Sequence, residues 1–301
     1  MWFRNLRIYR LQDPFDLGAD GLEALLGNHR ARTCGPLESA TVGWVCPLGP
    51  SGTTLVHAAD RRLLVCAERN ERLLPASVVR QEVARQAAEV EQAEERKLRR
   101  REHLELRDRV VQTLLPRAFV RATRVLAYVD PVLGLLLVDT ASAKRADELV
   151  DLLRESLGSL RLRPLSTERP PPLTLAGWLA GATPADIDLD DLSVLREPIE
   201  GGGVLRSSGL APEAVRTHLE AGLVPRQLAV RWGERIGVVV GEDLVLRRLR
   251  FLDLVQQEAA AVETEDPLVR FDADFAIMAH ELADFVPRLL DLLGGPSRGA
   301  E

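Results

Sequence analysis

Residues 96–124 read RKLRRREHLELRDRVVQTLLPRAFVRATR. Helix-forming residues fill the run as far as Pro116, which stops it. Upstream, no glycine or proline intervenes back to Pro75, so the helical stretch opens there, with Ser77 as N-cap. Unbroken, its roughly 35 helical residues would span about 50 Å. That exceeds the usual globular helix, so it is expected to cross between lobes or to break near His103. Downstream, VLAYVDPVLGLLLVD (125–139) reads as two strands joined by a turn at Pro131 and Gly134.

Charge is unevenly placed. Ten bases and three acids give residues 96–124 a balance of +7, in a chain of net −6, so the remainder carries −13. Along the helical stretch Arg85, Arg96, Arg100 and Arg107 are spaced by 11, 4 and 7, which puts them on one stripe of a single helix. Lys97 and Arg101 flank it. Two readings stay open on residue types alone. One is a surface built to meet a polyanion. The other is a solvated or dimer-facing helix held by i, i+4 pairs, although acids from Arg96 onward are too few to pair the bases.

The 301 residues, 46% hydrophobic and 28% charged, describe an ordinary soluble chain with room for a large core or several smaller ones. No apolar run is long enough to span a membrane. The start, MWFRNLRIYRLQD, alternates and is charged, unlike a signal peptide, so a cytosolic protein is expected. Cys34, Cys46 and Cys66 match no metal or redox spacing and read as reduced thiols. Lys97 and Lys144 are the only lysines against 37 arginines, so cationic surface here is guanidinium, which grips phosphate as a fork.

Working outward, 1–10 reads as a strand and 20–30 as a short amphipathic helix. GWVCPLG (43–49), LVHAA (55–59) and RRLLVCAER (61–69) read as a strand meander with one polar face, turning at Ala59-Asp60-Arg61-Arg62. Ser142 caps a helix that stops at Gly158. Residues 164–178 are proline-rich and read as a linker or an edge crossing. Residues 184–203 read as an acidic loop, and 212–222 as a helix from Pro to Gly. QLAVRW, RIGVVV and LVLRRLRF form a second meander before acidic helices, and Arg247, Arg248 and Arg250 alternate with leucines on its last strand. Segments 1–75, 76–163, 164–226 and 227–301 follow from this reading. The fold class is α+β with antiparallel sheets and a long basic helix.

Catalytic patterns are sparse. His29, His57, His103, His218 and His280 lack ligand spacing, and no phosphate loop of the G-x-x-x-x-G-K type is present. Gly201-Gly202-Gly203 reads as a hinge or turn in preference to a phosphate-binding loop. In RFDADF (270–275), Asp272 and Asp274, joined by Asp130 or Asp139, would hold a divalent cation as in a nuclease, or else cap a helix.

Several strings, in order along nearly the whole chain, resemble the bacterial recombination-associated RdgC family. They are WFRNLRIYRL, CGPLESATVGWVCPLG (34–49), LLPASVVRQ (73–81), LLPRAF (114–119), VDPVLGLLLVDTASAKRAD (129–147), LLRESLGSL (152–160), RFDADF and the terminal LLGG. The resemblance implies a nucleoid-associated homodimer, a ring with a positive hole that encircles double-stranded DNA without sequence preference. It further implies restraint of RecA-driven exchange, and no enzymatic activity or cofactor. Arg85, Arg96, Lys97, Arg100, Arg101, Arg107, Arg117 and Arg121 would then line the hole, and Phe119 would be a dimer contact, with core packing as its alternative. The family's second ring contact, a basic tip after Gly-Gly-Val, is replaced here by Gly202-Gly203-Val204-Leu205-Arg206-Ser207-Ser208-Gly209. Beside this stand two other readings, the Asp272/Asp274 nuclease and a dimeric scaffold that binds acidic proteins rather than DNA.

Overall fold

In this computed structural model, which describes residues 1–197, 199, 202–208 and 212–297, the chain is α+β with antiparallel sheets. The first part runs β1 (Arg7–Leu11), α1 (Ala19–Leu26), β2 (Ala40–Val45), β3 (Val56–Ala59), β4 (Arg62–Leu73), α2 (Ala76–Glu94) and α3 (Arg100–Leu114). Next come β5 (Phe119–Asp130), β6 (Leu135–Val138), α4 (Ala143–Leu157), β7 (Leu162–Pro164) and α5 (Pro171–Leu179). The rest is β8 (Ile187–Arg196), β9 (Val204–Ser208), α6 (Pro212–Glu220), β10 (Val224–Trp232), β11 (Ile236–Gly241), β12 (Leu246–Phe251), α7 (Asp253–Ala260) and α8 (Pro267–Leu292).

The first sheet is ordered β2-β4-β5-β6-β1-β7, and β3 shares the outer edge of β4 with β2. Asp60 and Arg61, at φ 46° and 66°, make the tight β3–β4 turn, whose twist suits a hairpin. Successive residues on these strands alternate between two cores. Leu64, Leu135 and Leu137 enter one, whereas Leu63, Val65, Leu136 and Val138 enter the other. The expected polar face of this meander is therefore not found at its centre. α1 and α4 cover one side, and α8, from the far end of the sequence, covers the other. Near-continuous apolar runs such as LLLV are the mark of strands buried on both faces. Ser142 caps α4 as expected, its Oγ accepting the Arg145 N–H at 3.4 Å.

The second sheet is ordered β12-β11-β10-β8-β9. The expected linker at 164–178 instead holds α5, which buries Leu175 and Trp178. The expected acidic loop instead holds β8, whose Ile187, Val194 and Leu195 are buried. In β8 the apolar residues are interrupted by Asp188, Asp190 and Asp191, and the pairing with β10 shifts register, which obscures a simple alternation. Gly201 and Gly209, parts of the expected hinge and second ring contact, lie outside the described residues.

Backbone pairing and a shared core join the two sheets. Leu6 and Leu246 exchange backbone hydrogen bonds at 2.7 and 3.0 Å. Between the sheets lies α8, whose Phe275, Met278, Leu282 and Phe285 share one core with Tyr128 of the first sheet and Val230 and Val238 of the second. Asp266 caps α8, accepting the Leu268 N–H at 2.8 Å. His57 of β3 lies 3.0 Å from Asp272 and edge-on to Phe271 and Phe275, so polar and aromatic contacts also seat the helix. Among the described residues no helix is long and apolar enough to cross a membrane. All three cysteines are free thiols, and burial pushes that of Cys66 up to about 12.

The helical stretch across 76–115, expected either to cross between lobes or to break near His103, is two helices. α2 starts after Pro75 rather than at a Ser77 cap, and it ends at Glu95, which is left-handed at φ 53°. The break precedes His103, which lies inside α3. Nearby carboxylates satisfy the backbone donors that the break releases. Glu91 accepts the Leu98 N–H at 2.9 Å, and Glu102 accepts the Arg99 N–H at 2.7 Å. α2 and α3 then fold back on each other, burying Val79 and Ala87 against Leu106 and Val110. None of these four residues belongs to either main core, so the hairpin is a unit of its own.

Candidate nucleic-acid interface

The basic segment forms the turn of the hairpin, α3 and the first half of β5. At the turn, carboxylates from both helices meet the cations. The Arg96 guanidinium reaches Glu94 at 2.6 Å and Glu102 at 2.7 Å, and Lys97 reaches Glu91 at 2.8 Å. These contacts hold Glu102 down at about 2, through the Arg96 guanidinium first and the Arg99 N–H second. Glu91 is lowered by Lys97 and the Leu98 N–H. On α2, Arg85 is gripped by Glu82 at 2.6 Å and Glu89 at 2.5 Å.

β4 and β5 pair along their full length, from Leu63 opposite Val129 to Leu73 opposite Phe119. That register sets Glu71 opposite Arg121 and Glu68 opposite Arg124, and ion pairs form at 3.3 and 2.8 Å. The free end of the ribbon is fixed by Arg72. Its guanidinium donates to the carbonyls of Leu115, Pro116 and Ala118 on one side and of Cys34 and Gly35 on the other, all at 3.1–3.3 Å. The charge suits the negative C-terminal end of α3. Arg72 thereby sets the turn that presents Arg117 and Phe119. Phe119 is 85% exposed, beside exposed Val120 and Leu73, so core packing is not its role within one chain.

The fold separates the sequence-predicted cations into two groups. Arg85, Arg96, Lys97, Arg101 and Arg121 each have a carboxylate partner, that of Arg101 being Glu105 at 2.9 Å. Arg100, Arg107 and Arg117 are exposed and form no ion pair among the described residues. The single stripe is not present, because Arg85 lies on α2, Arg96 in the turn, and Arg100 and Arg107 on the antiparallel α3. Residues 96–124 are also less positive in place than by count, since Glu91, Glu94, Glu68 and Glu71 come from outside them. Sequence reasoning noted Glu91 and Glu94 as mixed-sign neighbours but paired none of these four acids with the basic segment. Glu91 and Glu94 are legible once the helix break is known, and Glu68 and Glu71 only from the β4–β5 register. The segment reading also left out Arg80, exposed on α2 and without an ion pair among the described residues.

The carboxylates of the nuclease reading are dispersed. Asp272 faces His57, and Asp274 faces Arg270 and the Met1 amino group. Asp130 is buried against Arg62 at 2.9 Å, and Asp139 accepts the N–H groups of Arg4 and Asn5. Among the described residues no three His, Cys, Asp or Glu side chains gather as a metal site would require. On the second sheet, Arg247 pairs with Asp243 and Arg250 with Asp190, which neutralises two of its three alternating arginines.

Comparison with known proteins finds relatives along the length of the chain. A family model described as "Putative exonuclease, RdgC" matches residues 1–296. The recombination-associated protein RdgC of Pseudomonas aeruginosa strain PAO1 is 42% identical over 299 residues, covering 98% of this chain and 98% of that one. Its counterpart in Tolumonas auensis is 39% identical over 298 residues, covering 98% and 99%. That of Yersinia pestis strain Pestoides F is 39% identical over 301 residues, covering 99% of each. On matches that run the length of the chain, this protein belongs to the RdgC family of recombination-associated proteins.

Proposed function

We propose that this chain binds double-stranded DNA without sequence preference, as a homodimer whose ring encloses the duplex, and that occupancy of the duplex restrains RecA-driven exchange. The supporting observation is that Arg100, Arg107 and Arg109 of α3 and Arg117 just after it are exposed guanidiniums with no ion pair among the described residues. Arg100 and Arg107 lie on one side of α3, about 10.5 Å apart along its axis. Such a row meets successive phosphates, which supply affinity and register but carry no base information. Arg85, Arg96, Lys97, Arg101 and Arg121 join it only as phosphates compete with their carboxylate partners. Phe119, with its cross-strand neighbour Leu73, is the proposed dimer contact: two apolar side chains exposed on one face of a rigid ribbon end suit a second copy. A nucleoid location in the cytoplasm follows from the DNA reading.

Charge reversal tests this. An Arg100→Glu/Arg107→Glu protein should lose duplex affinity by more than tenfold with its fold intact, and retained affinity would refute the assigned surface. The description of the family model supplies a second reading, exonuclease action. Linear duplex incubated with Mg²⁺ or Mn²⁺ decides it. Shortened strands would establish the nuclease, and Asp272→Asn/Asp274→Asn would then show whether those carboxylates carry it.

A further inference from the structure

The α2–α3 hairpin leaves one side of its seam without a partner. There, Val79, Val83 and Ala84 of α2 face Val111 of α3 and Leu115 just beyond it across an open groove of about 790 Å³. The α2 positions recur at the spacing of a core-facing helix stripe. Val79 and Leu115 form a buried floor, Val83 and Val111 are half-covered, and Ala84 is exposed. The rim is cationic. Arg80 and Arg107 both line the groove, and neither has an ion pair among the described residues. No Asp or Glu is among the described residues that line it, although the chain as a whole carries net −6.

We propose that this groove docks an acidic amphipathic helix of another protein, laid between α2 and α3 to complete a three-helix bundle. Two antiparallel helices bury only part of their apolar faces, and a third helix covers the rest. The lining on and just beyond α3 runs from His103 to Leu115, which at 1.5 Å per residue accommodates a partner helix of about twelve residues. Its leucine-like face fills the valine floor, and its carboxylates meet Arg80 and Arg107. A second copy of this chain is the competing occupant, and the oligomeric state of the Ala84→Asp variant tells the two apart. Duplex DNA is a poorer occupant, since phosphate gains nothing from an apolar floor. The groove shares Arg107 with the proposed DNA surface but does not depend on it.

The test uses the full chain and a fluorescein-labelled peptide of about 15 residues, with leucines at i, i+3, i+4 and i+7 and glutamates elsewhere. A peptide of identical composition in scrambled order is the control. The amphipathic peptide should bind, and both Ala84→Asp and Arg80→Glu should weaken it by at least about tenfold. Both substitutions are at exposed positions, and circular dichroism verifies the fold. Neither residue belongs to the proposed DNA surface, so duplex affinity measured in parallel separates failure of this proposal from failure of that one. Equal binding of the scrambled peptide would overturn the proposal by reducing it to charge attraction. Undiminished binding by Ala84→Asp would overturn it as well. So would conversion of a dimer to a monomer by Ala84→Asp, which would assign the groove to a second copy.

Discussion

The Arg96 guanidinium and the Glu102 carboxylate, six residues apart, meet as a fork at 2.9 and 2.7 Å. Glu102 also accepts the Arg99 N–H, so one side chain both closes the hairpin turn and neutralises a cation of the basic segment. The same pairing therefore shapes the interface and limits its charge.

The fork has a pH signature. Glu102 sits at about 2 in the folded chain against an ordinary 4.5. A depressed carboxylate adds stability that is complete above about 4.5 and is lost as pH falls through the folded value near 2. Helical circular dichroism should decline in that window, and Glu102→Gln should lack this component. Glu82, also held at about 2, by Arg85 and then Gln86, adds a like contribution from α2. A Glu102→Gln profile identical to that of the parent would show that the fork does not stabilise the turn.

Arg72 is expected to be structurally costly to remove. Truncation to Ala leaves several helix-end and loop carbonyls without their donor, and should destabilise the fold by about 2–4 kcal/mol in urea denaturation. Substitution by Lys should recover only part of this, because a single ammonium cannot reach both groups of carbonyls at once.

On the C-terminal side, Arg235 clasps the buried Glu281 of α8, with Nε 2.7 Å from its carboxylate, and also reaches Glu258 at 3.1 Å. Arg235→Leu should cost about 3–5 kcal/mol, because it strands a buried carboxylate. Arg235→Leu/Glu281→Leu should regain much of that loss. A double variant as unstable as the single one would mean that the cost comes from packing rather than unpaired charge.

The dimer proposal rests on Phe119. Phe119→Glu should leave melting of the single chain within about 0.5 kcal/mol of the parent, as for an exposed position, while shifting the mass measured by light scattering from two chains to one. A dimer that persists in this variant would move the interface elsewhere.

The local rules carried much of this fold. The Asp60-Arg61 turn, the Ser142 cap and the β5–β6 and β10–β12 strands are legible because each depends on neighbours in sequence. What escaped depends on residues far apart. α8 turns the expected solvent face of the first sheet into core, and α5 and β8 are structured by burial that composition hides. In the basic segment, residue types singled out Arg100, Arg107 and Arg117, which the fold leaves exposed and without an ion pair among the described residues, but the break they suggest is near His103 rather than at Glu95, where it divides the stripe. That break has no glycine or proline to announce it and is stabilised by side chains of Glu91 and Glu102.

The most direct measurement is fluorescence anisotropy of two unrelated duplexes of about 30 bp across a salt series, with the parent chain and with Arg100→Glu/Arg107→Glu. The account predicts the same affinity for both sequences and a steep fall with salt. In the double variant the logarithmic salt slope should be shallower by about 2, roughly one unit for each phosphate that its guanidinium no longer neutralises. Parent protein that fails to bind at low salt, or a double variant with unchanged affinity and slope, would contradict it.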